Sequence, residues 1–461
     1  IVLLENIANP AATLRASQAG AIGQVHISPH QHLHEMCISP VWGSPAEDQL
    51  DLLPKTTVLS VRKEDGDALK ARVQAGEIVE LTLHADVNTG WRKTPMLQAD
   101  LDPAAPDADD SFVMFSGHHD TWYYGVMDNG GANATMLEVA RLFAPHRDRM
   151  RRGLRLCFWS GHSHGRYSGS SWYADARWEE LSQRCVAHVN VDSTGAKGNT
   201  IMSDALSSAE LFPLAAEAIK VQGGQELDGH RMSRAGDQSF WGIGIPSMFM
   251  GMGEQPLGGT NPMGAVLGGA GRKSAGFGWW WHTPEDTLDK MDADLLVRDT
   301  RVYVHAIWRL VTDGVLPLEY GRHLEALGST LQALDGDLGD RLNLEPLLAR
   351  LEILRRRLAD VMAGTVDAKT VNRALMRVSR ALVPIDYTRG DRFDHDPALS
   401  QPPYPVLDPV RRLAAAQPGS DEAHFAAVRA RRALNRLAVA LDETGAALPT
   451  SARPGQSGPE R

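Results

Sequence analysis

The spacing of apolar and polar positions divides the chain into three regions. In residues 1–97, short apolar runs at 1–4, 21–27 and 57–61 predict strands, separated by polar helix-like stretches at 10–19 and 65–75, the latter closed by Gly76. Clean alternation over 78–83 predicts one further strand. Between 98 and 317 the pattern becomes strand–helix alternation. Apolar runs at 112–116, 154–160, 186–192 and 246–250 predict strands covered on both faces, and helices are expected over 131–143, 169–183 and 208–221. That pattern predicts an α/β fold with a mostly parallel, doubly wound sheet. A Gly-rich stretch from 251 to 278 reads as a mobile surface loop. After Pro317 the period lengthens: Leu344, Leu347, Leu348, Leu351, Leu354 and Leu358, and later Phe425, Val428, Leu434, Leu437 and Leu441, recur at helical spacing. Residues 318–448 therefore read as a helical domain, and the Ser, Gly and Pro of 449–461 as a disordered tail.

Composition narrows the class. Over 461 residues, 43% apolar and 23% charged content are those of a globular chain, and a net charge of −10 leaves no basic footprint for nucleic acid or an anionic membrane. Nothing approaches the roughly 18 uninterrupted apolar residues of a membrane-crossing helix. Cys37, Cys157 and Cys185 show no metal or redox spacing, and two lie in strand-like runs, which fits free thiols in a reducing compartment. A cytoplasmic location is the expectation, with the true N-terminus taken to be missing because Ile1 opens inside an apolar run.

Candidate chemistry gathers at strand ends. The run SGHHDTWYYGVMDNGG at 116–131 sets His118 and Asp120 at the end of one strand and Asp128 at the start of the next helix. The second strand runs into Gly161-His-Ser-His-Gly165, the third ends on Asp192, and His282 follows three tryptophans. The carboxyl ends of strands are where open α/β sheets bind ligands. Imidazoles and carboxylates offered together there suit a transition metal such as zinc. His30, His32 and His34 alternate in a polar stretch; a solvated loop is the favoured reading and a metal site the alternative.

The motifs HHD at 118–120, MDN at 127–129, NVD at 190–192, GDQSFWGIGIPS at 236–247 and WHTPEDTLDKM at 281–291 resemble those of the co-catalytic zinc aminopeptidases, the family of glutamate carboxypeptidase II and the transferrin receptor. The resemblance implies a zinc-exopeptidase-like fold, with residues 1–97 similar to a protease-associated domain and the helical domain mediating homodimerisation. By position it implies that His118 and Asp192 hold one metal, that His282 helps hold a second, that Asp128 bridges them, and that Asp120 orients His118. Arg231 and Arg234 fall where the glutamate-specific relatives grip acidic substrates, and Trp281 is a candidate pocket wall. The implied activity is hydrolysis of peptide or amide bonds with one or two zinc ions.

One motif departs from the family. Two consecutive glutamates, a general base and a metal ligand, are expected after the second strand, where this chain reads FWSGHSHGRYSGS at 158–170. Counting forward from Trp159 puts His162 and Ser163 in the two slots; counting back from Gly169 puts Ser163 and His164 there. Three explanations follow: histidines replace both glutamates, a single metal works alone, or catalysis is lost and a binding protein remains. The first is favoured, with His164 as ligand and His162 as base.

Overall fold

The computed structural model describes residues 1–258 and 271–449. The N-terminal unit is a parallel sheet in the order β1 (Val2–Glu5), β2 (Gly23–Ile27), β3 (Thr57–Val61), with helices α1 (Pro10–Gln18) and α2 (Lys63–Gln74). Asn9 caps α1 by accepting from the Ala12 amide at 3.0 Å, and Pro10 occupies the first turn, where its missing N–H costs nothing. The strand expected over 78–83 does not form: no ladder partner reaches it among the described residues, and Ile78 is 89% exposed. Alternation without a neighbouring edge has nothing to pair with.

The second sheet has the order β4–β6–β5–β7–β8, from β4 (Leu97–Leu101), β5 (Phe112–His118), β6 (Gly153–Trp159), β7 (Cys185–Asn190) and β8 (Ser247–Met248). All pairs are parallel except β4 with β6. Every residue of β5, β6 and β7 is buried, as expected of strands covered on both faces. Helix α3 (Ala132–Phe143) packs on β5 through Met136, Val139 and Phe143. The helix expected over 169–183 is two, α4 (Ser168–Ala176) and α5 (Trp178–Arg184), broken at Arg177. Helix α6 (Phe212–Gly223) and helix α7 (Ala293–Thr312), the latter capped by Asp292, complete the layers.

The helical region follows as α8 (Tyr320–Leu338), α9 (Glu345–Ala363), α10 (Ala368–Tyr387), α11 (Asp408–Ala415) and α12 (Asp421–Ala447). It does not stand apart. One continuous apolar cluster runs from Val113 and Phe115 of β5 through Ile307 and Leu310 of α7 to Leu331, Leu351, Leu375 and Leu437 of the helical layer. At the seam, the half-buried Arg380 of α10 donates to the carbonyls of Leu181, Ser182, Cys185 and Gly244. The three cysteines are free. Among the described residues no helix is long and apolar enough to cross a membrane. Residues 259–270 of the Gly-rich loop and 450–461 of the tail lie outside the described residues.

Candidate metal centre

Strand order decides where the site falls. β5 is flanked by β6 and β7, so the chain leaves β5 in opposite directions on its two sides, and the crevice opens where that switch occurs. His118 ends β5, residues 160–164 follow β6, and Asp192 follows β7. Asn129 fastens the ends of β5 and β7 together: its amide donates to the His118 carbonyl at 3.2 Å and its oxygen accepts from the Ser193 amide at 3.0 Å. Gly131 permits the close approach of α3, since a Cβ there would lie 2.5 Å from the Thr194 carbonyl.

Three imidazoles converge on two carboxylates, and each is held from behind through Nδ1. His118 Nδ1 donates to the Asp120 carbonyl at 2.7 Å, and His282 Nδ1 to the Glu35 carbonyl at 2.6 Å. His162 Nδ1 bonds the buried Asp237 carboxylate at 2.7 Å. A carbonyl can only accept, so Nδ1 carries the proton in the first two, leaving Nε2 as the open nitrogen. His118 Nε2 lies 3.1 Å from Asp128 Oδ1 and 3.5 Å from Asp192 Oδ2. His282 Nε2 lies 3.1 Å from Asp128 Oδ2, and His162 Nε2 4.0 Å from Asp192 Oδ2. The rings of His118 and His162 stack at 3.7 Å, 12° from parallel.

The electrostatics call for a cation. His118 is 1% exposed, and its Nε2 has no hydrogen-bond partner among the described residues although two carboxylates face it. Burial opposes its protonation, but the charges of Asp192 and Asp128 prevail and hold its pKa well above the ordinary value. Burial likewise opposes ionisation of Asp128, yet His118 and His282 hold its carboxyl well below the usual range. The pull is mutual: a lone pair aimed between carboxylates needs a proton or a metal ion. His118, His162 and Asp192 present ligand atoms within 4.8 Å of one another, a set a divalent metal fits.

The supporting residues are also specific. Asp286 accepts from the amides of Met127 (2.9 Å) and Asp128 (3.0 Å), holding the backbone at Asp128; burial pushes its own pKa up to about 6. The Asp120 carboxylate accepts from the amides of His162 (3.2 Å) and Ser163 (2.9 Å). Asp120 thus orients His118 through its carbonyl, while its side chain secures the loop at 160–164. Sequence reasoning assigned no role to Asp237, Asp286 or Glu35, although the first two stand inside the motifs GDQSF and WHTPEDT.

Several expected site residues lie elsewhere. His164 is exposed and packs on Trp122, with ring centroids 4.2 Å apart, while His162 takes the place beside Asp192. Arg231 bonds Asp386 and lies 4.1 Å over the Tyr387 ring. Arg234 donates to the carbonyls of Asp396 and Pro397 and lies 4.2 Å over Trp42; burial lowers its pKa to about 10. Arg231 ties the sheet layer to the end of α10 and Arg234 ties it to the segment that follows, and neither is free for a substrate. Trp281 does reach the site, stacked on His282 at 3.7 Å. His34, expected in a solvated loop, is 5% exposed and bonds the Trp281 carbonyl.

Fold and side-chain cluster define an α/β protein with a histidine–aspartate centre of metal-binding type at its switch point. Residues 97–307 match the model for peptidase family M28. Similar curated proteins include the probable glutamate carboxypeptidase VP8 of Zea mays, 33% identical over 86 residues (18% of this chain, 12% of that protein). The probable glutamate carboxypeptidase AMP1 of Arabidopsis thaliana is 22% identical over 329 residues (62% and 43%). The chain spans less than half the length of these relatives. Among solved structures, a zinc aminopeptidase from Bacillus subtilis aligns with a TM-score of 0.47 at 18% identity, covering 68% of this chain and 69% of that one. A peptidase M28 precursor from Shewanella amazonensis aligns at 0.48 and 18%, covering 67% and 64%.

Proposed function

We propose that the protein is a metal-dependent hydrolase of peptide or amide bonds, exopeptidase-like, with a histidine-rich variant of the M28 centre. The observation that carries this reading is the convergence of three Nδ1-anchored imidazoles on Asp128 and Asp192. His118, His162 and Asp192, with Asp128 Oδ1, are the residues that would hold one zinc ion. Asp128 Oδ2 and His282 Nε2 would hold a second. A divalent ion there supplies Lewis acidity toward a scissile carbonyl and makes water a nucleophile near neutral pH.

His162 serves as ligand in place of a glutamate, with Asp237 fixing its ring, and His164 at the rim takes up the proton that the missing glutamate base would have taken. Trp122 and Trp281 wall the crevice with aromatic surface. With Arg231 and Arg234 engaged elsewhere, the site favours a neutral substrate over an acidic one. The N-terminal unit acts as a protease-associated domain, and the chain assembles as a homodimer through the helical layer, where Phe425 and Val428 of α12 are 74% and 50% exposed. Metal analysis of protein purified without chelator, together with hydrolysis of an aminoacyl and peptidyl amide library, tests the central reading. Transition metal bound near stoichiometrically, and an activity abolished by Asp128→Asn, are expected. Less than about half an equivalent of metal, with none taken up on titration, overturns it.

A further inference from the structure

The second proposed metal position would have two protein ligands where the first would have four, so its affinity should depend more on how well His282 is aimed. His282 stands at φ 61°, in the left-handed region, which a non-glycine residue keeps only where its surroundings hold it. What holds it comes from the N-terminal unit, outside the matched M28 region. The Glu35 amide donates to the His282 carbonyl at 3.0 Å, and the Glu35 carbonyl accepts from His282 Nδ1 at 2.6 Å, so one residue grips both the backbone and the ring. The Glu35 carboxylate is in turn held by the Tyr123 hydroxyl at 2.7 Å.

Behind Glu35 runs a chain of imidazoles whose tautomers the partners dictate. The His32 amide donates to His30 Nδ1 at 3.4 Å, which leaves the His30 proton on Nε2. His30 Nε2 then donates to His34 Nε2 at 2.6 Å, and His34 Nδ1 donates to the carbonyl of Trp281, the residue before His282. Each ring carries one proton, and burial keeps both His30 and His34 neutral, with pKa values lowered to about 4. The far end is anchored in the N-terminal fold: the Lys63 amide, at the start of α2, donates to the His30 carbonyl at 3.1 Å, and the Ser28 hydroxyl to that of His32 at 2.6 Å. His32 also packs on Trp279, with centroids 4.4 Å apart.

We infer that residues 30–35 are a positioning arm for the metal centre: His34, through the Trp281 carbonyl, and Glu35, through His282 itself, aim His282 Nε2 at Asp128. The inference rests on the proposed metal-hydrolase reading. It makes the N-terminal unit part of the centre rather than a neighbour that shapes access to it.

The test is zinc binding by the full chain, by competition titration, alongside the visible spectrum of the cobalt-substituted protein. His34→Leu removes the donor to Trp281; His34→Asn keeps an amide N–H where Nδ1 stood. The expected result is a loss of about 10- to 100-fold in zinc affinity at one of two positions in the Leu variant. The other position should be unchanged, the cobalt spectrum altered, and the Asn variant restored toward wild type. Two equivalents bound by His34→Leu with wild-type affinity would overturn the inference, as would an Asn variant no better than Leu. Should His34→Leu fail to fold, Tyr123→Phe, at a residue 52% exposed, loosens Glu35 instead. It should weaken the same position, and wild-type affinity there would likewise overturn the arm. Failure of the underlying reading looks different, because the wild-type chain itself would then take up no zinc.

Discussion

Replacing His162 separates the two roles assigned to it, proposed metal ligand and partner of a buried charge. Its Nδ1 lies 2.7 Å from Asp237, a residue 1% exposed whose other oxygen has no hydrogen-bond partner among the described residues. Burial by itself would raise the Asp237 pKa; His162 is the chief influence drawing it below the ordinary value. His162→Ala therefore strands a carboxylate, at a cost of about 3–5 kcal/mol to the metal-free protein. It also removes one of the three clustered ligands, which should lower zinc affinity by at least about 10²-fold. The double variant His162→Ala/Asp237→Asn exchanges the stranded charge for a neutral amide. Most of the lost stability should return while zinc affinity stays low. His164→Ala, at an exposed ring, should fall within about 0.5 kcal/mol of wild type and keep its metal while turnover drops. Urea unfolding in chelator reads stability, and competition titration reads zinc. Wild-type zinc affinity in His162→Ala, or no recovery of stability in the double variant, would refute the assignment.

Three further outcomes follow from the geometry. Graded chelation should remove zinc in two stages, the ion between Asp128 and His282 first because fewer protein ligands hold it; simultaneous loss in a metal-content titration would count against two unequal positions. Arg234→Leu should cost about 1–3 kcal/mol in urea unfolding by leaving the half-buried carbonyls of Asp396 and Pro397 unpaired, with KM for neutral and acidic substrates unchanged; a selective KM rise for acidic ones would return Arg234 to the substrate site. His188 is fully buried, bonds Ser116 at 2.7 Å, and has its pKa lowered by burial to about 4, below the ordinary 6.5. Between those values the unfolded chain binds the extra proton, so stability should fall as pH drops from about 6.5 toward 4, by up to about 1.4 kcal/mol per pH unit. His188→Gln should flatten that slope, and an unchanged slope would show that other groups carry it.

The central strands were legible because β5, β6 and β7 are buried on both faces and so appear as unbroken apolar runs. β4 was not: LQADL is a largely exposed edge, recognisable only by its antiparallel pairing with β6. The run at 78–83 shows the opposite error, alternation with no edge beside it. His118 and Asp192 could be picked out because they close or directly follow a strand, and Asp128 and His282 because each stands within a spaced motif. Which of His162 and His164 lies beside Asp192 was closed to inspection of the sequence, since the ring of His162 is held by Asp237, 75 residues away. The burial of His34 depends on a carbonyl 247 residues distant. The two arginines misled for a related reason: a cation near a binding motif looks the same whether its partner is a substrate or Asp386.

The seam at Arg380 bears on how this protein can be altered. Its guanidinium satisfies carbonyls at the end of α5, at the first residue of β7 and at Gly244, while the apolar cluster continues across the same boundary. The helices after residue 317 are therefore not a detachable module. A chain cut there would keep every candidate ligand in its sequence yet leave α7 and the ends of β7 and α5 facing water. Recombination between relatives should succeed only when sheet and bundle are exchanged together. For engineering and inheritance alike, the indivisible unit is the matched domain plus its helical backing.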